Sequence, residues 1–288
     1  MATLAQVRIT LEMIKWEHSI FALPFALTGA MLAAGGWPSA HTLLWIVVAM
    51  VTARSAAMAF NRWADADLDA ANPRTRSRAI PAGLLTPTFV LLFTAAMTGG
   101  FLLACWRLNR LTLLLSPFVL LVLFSYSYMK RWTRMSHLVL GLSLGIAPSA
   151  AWIAVRGSLD ARIMLLSAIV LLWTAGFDIL YACQDMDHDR QAGLHSIPQA
   201  LGLPAAFALA RGFHAAVAVA LVAFGWLFHF GWAGYAGVAL VAALLAYEHR
   251  LVSPRDLSRL NAAFFTMNGI IASVFFVSVA ADLLLHRR

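Results

Sequence analysis

Long apolar runs alternate with short polar ones along this chain. The runs at 19–35, 42–60, 84–105, 111–129, 137–155, 163–183, 204–224, 226–247 and 261–285 are almost free of charge. Each approaches the roughly 20 apolar residues that a helix needs to cross the hydrocarbon of a bilayer. The pattern predicts an all-α, polytopic membrane protein with nine transmembrane helices. Ahead of the first run, "LEMIKWEHSIF" (11–21) reads as an amphipathic approach helix, and the first 15 residues lack the basic, apolar, small-residue layout of a cleaved signal. No low-complexity tract or long linker divides the chain, so a single domain over 1–288 is expected.

Composition supports the bilayer as solvent. The chain is 61% hydrophobic and 12% charged, with a mean hydropathy of +0.78, whereas soluble domains carry about 25% charged residues. The net charge of +8 follows from topology. With the amino terminus inside, thirteen Lys and Arg fall in inner segments and six in outer ones, while Arg54 and Arg211 lie within span limits. That bias predicts a multi-pass protein of the cytoplasmic (inner) membrane with its acidic segments facing the cytoplasm. Basic inner loops meet anionic lipid headgroups, and nothing resembles a nucleic-acid-binding module. No obligate protein partner is indicated. Cys105 and Cys183 fall near opposite membrane faces and read as packing residues.

Two polar segments break the apolar pattern. "NRWADADLDAANPRTRSRAIPAG" (61–83) and "YACQDMDHDRQAGLHSIP" (181–198) hold six of the 13 acidic residues between them. The first reads Asn61-x3-Asp65-x-Asp67-x-Asp69, followed by Ile80-Pro81; the second reads Tyr181-x3-Asp185-x-Asp187-x-Asp189, followed by Ile197-Pro198. The aspartates are offset by 120 residues, and each set follows an even-numbered span. Repeats in membrane proteins often meet at a site, so the two segments are expected to face one another.

If the helical period continues, Asn61, Asp65 and Asp69 share one face, as do Asp185 and Asp189. Successive acids then lie about 6 Å apart along the axis, with Asp67 and Asp187 turned to solvent. Four converging carboxylates repel, and hard divalent cations relieve this; Mg²⁺ characteristically joins one or two carboxylates to substrate phosphate oxygens. Asn61 adds an amide oxygen, and Arg74, Arg78 and Lys130 are placed to neutralise phosphate. Acids that merely solvate helix ends are the plainer reading of one DxxxD, but two matched sets argue against it. His188 and His195 lack the spacing of a zinc site. A cation transporter is a competing class, though its acids would be expected near mid-membrane rather than at one rim. A magnesium–diphosphate site at the mouth of an apolar bundle suits a polyprenyl diphosphate, whose allylic carbon would be captured by an electron-rich ring while a general base takes the displaced proton.

Those motifs, with "YSYMKRWTRMSHLVLGLSLGIAPSAAW" (126–152) and "MIKWEHSIFALPFALTGA" (13–30), closely resemble the UbiA superfamily of intramembrane aromatic prenyltransferases, in its 4-hydroxybenzoate polyprenyltransferase-like branch. The resemblance runs nearly the whole chain. It implies helices around a central cavity, Mg²⁺–diphosphate held by Asn61, Asp65, Asp69, Asp185 and Asp189, phosphate contacts from Arg78 and Lys130, and Tyr181 near the reacting carbon. It also implies a polyprenyl diphosphate and an aromatic acid as substrates in quinone biosynthesis. The acceptor could be 4-hydroxybenzoate, a dihydroxynaphthoate or a porphyrin, the last least favoured. Arg54 and Asp178 each precede their motif by seven residues on the same helix face, about 10 Å deeper. They are expected to floor the acceptor pocket, Arg54 at the carboxylate and Asp178 near the phenolic hydroxyl. The alternative is an Arg54–Asp178 ion pair that closes the bundle.

Overall fold

The computed structural model describes residues 2–15 and 21–286, and these form an all-helical bundle without a β-sheet. In chain order the helices are α1 (Ala2–Ile14), α2 (Leu23–Ala34), α3 (Ala40–Ala64), α4 (Ala66–Ala71), α5 (Pro87–Leu108), α6 (Arg110–Trp132), α7 (Ser136–Arg156), α8 (Ala161–Ala182), α9 (Met186–Gln191), α10 (Ile197–Leu201), α11 (Leu203–Leu227), α12 (Trp232–Leu251) and α13 (Asn268–Leu285). A 3₁₀ turn over Cys183–Asp185 joins α8 to α9, and a π-helical turn over Ala262–Met267 leads into α13. The approach helix expected over 11–21 is α1 as far as Ile14; residues 16–20, and with them the start of the first expected span, lie outside the described residues.

Every one of the nine apolar runs forms a helix, but the expected count of nine crossings is not met. Among the described residues, seven helices are long and apolar enough to cross a membrane. At 12 residues, α2 spans about 18 Å against a hydrocarbon thickness of about 30 Å. In α12, Trp, Tyr and Gly near the start and Glu248-His249-Arg250 at the end dilute the apolar run. A count of apolar residues misses this, because it records neither where a helix begins nor which residues lie inside it.

Local sequence explains the boundaries. Ser39, Thr86, Asn109 and Asp160 accept hydrogen bonds from the first-turn amides of α3, α5, α6 and α8, satisfying donors that a helix start leaves unpaired. Asn109 also donates to the Ile153 carbonyl (2.8 Å), tying α6 to the end of α7. Left-handed Gly35 and Gly157 (φ 64° and 68°) end α2 and α7, a conformation that favours glycine.

α8 is the central helix, packed by α7 on one side and α11 on the other. Small residues bring α7 onto it: a Cβ on Gly141 would overlap the Leu171 carbonyl, and one on Gly145 would lie 2.7 Å from the Ser167 oxygen. Close backbone approach through small residues is the usual means of helix packing in lipid. Phe25, Trp173, Phe177, Phe224 and Phe275 fill the core between α2, α8, α11 and α13. Leu92, Leu121, Val219 and Val277 are turned outward instead, and exposed Trp106, Trp226 and Trp232 stand near helix ends, where tryptophan favours a membrane interface.

Candidate active site

The two acidic segments are built alike. α3 ends at Ala64, Asp65 forms a break, and α4 carries Asp67 and Asp69; α8 ends at Ala182, the break ends at Asp185, and α9 carries Asp187 and Asp189. The backbone at the two breaks is nearly the same, with φ −100°, ψ 10° at Asp65 and φ −100°, ψ 2° at Asp185. This sparsely populated region recurs at active-site residues. The expected uninterrupted helix is therefore absent, but its register survives. Asp65 N donates to the Asn61 carbonyl (3.0 Å) and Asp69 N to the Asp65 carbonyl (2.7 Å). Asp69, Asp185 and Asp189 are buried and Asp65 is half-buried, while Asp67 and Asp187 are exposed.

Each of the four inward acids holds a different cation. Arg74 makes a two-pronged contact with Asp185 through Nε (2.8 Å) and Nη2 (2.7 Å). Arg78 Nη1 donates to both oxygens of Asp69 (2.6 and 2.8 Å). Arg131 Nη2 donates to Asp65 Oδ1 (3.0 Å), and Lys130 Nζ lies 3.5 Å from Asp189 Oδ2. Neighbours at the end of α6 thus reach opposite walls, and Arg74 from the first wall grips the second. Burial raises the pKa of Asp65 above the ordinary carboxylate value, although the hydrogen bond from Arg131 opposes it. Burial works against the charge of Arg74, but its bonds to Asp185 outweigh this and raise its pKa. Among the described residues no three His, Cys, Asp or Glu side chains are grouped closely enough to hold a metal ion. The acids line one space without forming a ready-made metal cluster.

Deeper in the bundle, Asn61 is held on both sides. Its Nδ2 donates to Asp65 Oδ2 (2.8 Å), and its Oδ1 accepts from the buried Arg62 (3.2 Å). Arg54 donates to the Lys15 carbonyl (3.3 Å), linking α3 to the end of α1. Among the ion pairs of the described residues, the alternative of an Arg54–Asp178 pair does not occur; Asp178 Oδ2 instead lies 2.7 Å from Nδ1 of the fully buried His137. Tyr181 sits with its ring centroid 5.8 Å from the Arg74 guanidinium and 5.9 Å from the Phe265 ring.

These groups surround a cavity of about 690 Å³, and all eleven residues expected at the site from the sequence line it: Arg54, Asn61, Asp65, Asp69, Arg74, Arg78, Lys130, Asp178, Tyr181, Asp185 and Asp189. A second cavity of about 530 Å³, walled almost wholly by apolar side chains, adjoins it, and Arg54, Met58, Asn61, Tyr126, Leu140 and Leu144 border both. Sequence reasoning missed three participants. Arg131 was visible only as another basic inner residue. Arg62, next to Asn61 in the chain, carried no spacing signal of its own. His137 shares no spacing with any acid, and a lone histidine opening an apolar run reads as packing.

The polar, charge-paired pocket thus continues into an apolar one within a bundle of long apolar helices. The profile of the UbiA prenyltransferase family fits residues 22–270. The chain belongs to that family. It is 32% identical over 266 residues to a 4-hydroxybenzoate octaprenyltransferase of Vibrio cholerae, covering 89% of this chain and 93% of that protein. A 4-hydroxybenzoate octaprenyltransferase of Nitrosospira multiformis is 31% identical over 249 residues, 86% of each chain. The apo structure of a UbiA homologue from Aeropyrum pernix K1 has a TM-score of 0.85 at 32% identity, over 93% of this chain and 98% of that one. A homologue from Archaeoglobus fulgidus, solved with GPP and Mg²⁺, shares the fold at TM-score 0.76 and 18% identity, over 96% and 99% of the two chains. This UbiA-family member is a multi-pass integral membrane prenyltransferase.

Proposed function

We propose that this enzyme transfers a polyprenyl group from its diphosphate to a hydroxylated aromatic acid, 4-hydroxybenzoate in the first instance, in quinone biosynthesis, with its polar cavity on the cytoplasmic face of the inner membrane. The observation that carries this reading is the pairing of the four inward acids with four cations at a cavity that adjoins an apolar one. The apolar cavity suits the prenyl chain and the polar one its diphosphate. The relatives named as 4-hydroxybenzoate octaprenyltransferases support the acceptor.

The residues present fit Mg²⁺. The inward donors are hard carboxylate oxygens, and each is satisfied by a base that could equally serve a phosphate oxygen. Asp65, Asp69, Asp185 and Asp189, with Asn61, would hold the metal, while Arg74, Arg78, Lys130 and Arg131 would turn to the diphosphate. When bound, Mg²⁺ would supply positive charge that favours departure of the diphosphate. Tyr181, Phe177 and Phe265 line the cavity, where aromatic faces would favour the cationic character of the allylic carbon. Arg54 would hold the acceptor's carboxylate. In the transfer itself the allylic C–O bond breaks with its electron pair leaving on diphosphate, and an acceptor ring carbon forms the new C–C bond. The acceptor's hydroxyl proton passes to Asp178. As the ring carbon sheds its hydrogen to regain aromaticity, Asp178 returns the proton to oxygen, and the shed proton leaves with diphosphate.

The test is a product assay on the purified protein with prenyl diphosphates of several lengths, offered 4-hydroxybenzoate, a dihydroxynaphthoate and a non-aromatic acid. Prenylated 4-hydroxybenzoate that disappears on chelation and returns with Mg²⁺ is expected. Transfer only to another acceptor would overturn the choice of 4-hydroxybenzoate.

A further inference from the structure

The cavity acid Asp178 has one hydrogen-bond partner among the described residues, and that partner is itself fixed from behind. His137, the second residue of α7, has no exposed surface. Its Nδ1 lies 2.7 Å from Asp178 Oδ2, and its Nε2 lies 3.3 Å from the backbone nitrogen of Ile197. A backbone N–H can only donate, so Nε2 must carry a lone pair. The neutral ring then has its proton on Nδ1, directed at the Asp178 carboxylate. Ile197 opens α10, where its amide would otherwise lack an intrahelical acceptor. The loop preceding it is fastened as well: His195 N donates to the Lys130 carbonyl (2.7 Å) and Leu194 N to the Asp189 carbonyl (2.8 Å). A single buried ring therefore links the loop after the second acidic segment to the acid at the deeper end of the cavity. Asp178 Oδ2 is committed to this bond, which leaves Oδ1 for a ligand of the cavity that Asp178 lines.

We propose that His137 is a positioning residue for the transfer step: held in its Nδ1-protonated form by Ile197, it orients Asp178 so that the free carboxylate oxygen receives the acceptor's hydroxyl proton. This rests on the proposed function above and adds the group that aims the base. A histidine serving only as a packing pin would affect folding and would leave the chemical step untouched in whatever protein survives.

Two substitutions separate the halves of the ring's role. The amide nitrogen of His137→Asn stands near Nδ1 and retains a donor for Asp178. The amide oxygen of His137→Gln stands near Nε2 and retains an acceptor for Ile197 while the donor to Asp178 is lost. With geranyl diphosphate, Mg²⁺ and 4-hydroxybenzoate, His137→Gln is expected to lower kcat about tenfold or more, within the usual range for a disturbed general base. The KM for geranyl diphosphate should stay within about twofold, and His137→Asn should recover most of kcat. Because the effect runs through Asp178, adding His137→Gln to Asp178→Asn should cost nothing further, the signature of coupled positions. Equal kcat in the Asn and Gln variants, or fully additive losses in the double variant, would overturn the proposal and leave the proposed function standing. A wild-type enzyme that prenylates no hydroxylated aromatic acid overturns both. Should neither His137 variant melt cooperatively, ¹⁵N-histidine spectra decide, recorded on the His286→Asn protein because His286 Nδ1, 2.9 Å from the Asp282 carbonyl, would give a second Nδ1-protonated signal. A neutral, Nδ1-protonated buried ring is expected, and its absence refutes the assignment.

Discussion

A carboxylate set at the break of a helix is held differently from its neighbour two residues on. Asp185 is buried against Arg74, and Asp187 is solvated, reaching Arg190 only at 3.9 Å. Asp65 and Asp67 repeat that contrast. Removing the charge of a carboxylate proposed to hold the metal forfeits about 2 kcal/mol or more of that contact. Asp65→Asn and Asp185→Asn should accordingly lower kcat/KM by roughly 30-fold or more, whereas Asp67→Asn and Asp187→Asn stay near wild type. Equal loss at all four positions in folded protein would refute the division into inward and solvated acids. Arg54 is tested by its selectivity. Arg54→Ala should weaken binding of the aromatic acid by about 2 kcal/mol and narrow the preference for the acid over its amide. A folded variant that favours the acid as strongly as wild type would exclude Arg54 from the acceptor pocket.

At the level of elements, the i, i+4 spacing of Asn61, Asp65 and Asp69 made their common face legible. A continuous helix and one interrupted at Asp65 share that spacing, so the break and the short helix α4 were not. The same ambiguity hid the 3₁₀ turn before α9. Crossings were overcounted for a related reason: apolar composition marks a helix, but its length depends on caps and neighbours that sit elsewhere in the chain. Packing between elements was less legible still. "GLSLG" (141–145) shows two small residues on one face of α7, and nothing in it names Leu171 and Ser167 of α8 as what they approach. That approach gives an element-scale prediction. Gly141→Ala drives a methyl into backbone rather than into a movable side chain, so it should lower the melting temperature sharply or abolish folded yield. Gly212→Ala in α11 meets nothing within 4 Å and should leave both unchanged. Similar melting of the two variants would show that α7 and α8 do not depend on this contact.

For the whole molecule, the sequence predicted that the two acidic segments face one another but could not assign their partners. Arg74–Asp185, Arg131–Asp65 and Lys130–Asp189 join positions 111, 66 and 59 residues apart, and no local pattern encodes such distances. The resulting balance of four inward acids against four cations shapes how the cavity should take its ligands. Mg²⁺ alone would have to displace bases from the acids and leave those bases without anions. A prenyl diphosphate alone would draw the bases away and leave buried carboxylates facing one another, which is costly. On the proposed reading, metal and diphosphate bound together would satisfy both sets at once, so each should strengthen the other's binding. A ligand present at about 100 times its dissociation constant stabilises the folded state by about 2.7 kcal/mol, enough to read in a melting curve. Mg²⁺ with geranyl diphosphate should therefore raise the melting temperature by clearly more than the sum of their separate effects, and Asp185→Asn should remove the excess. Full stabilisation by Mg²⁺ alone would mean a preformed metal site, and the exchange of partners would be wrong. Full stabilisation by geranyl diphosphate in the presence of chelator would mean that the basic residues grip phosphate unaided, and the exchange of partners would then be wrong.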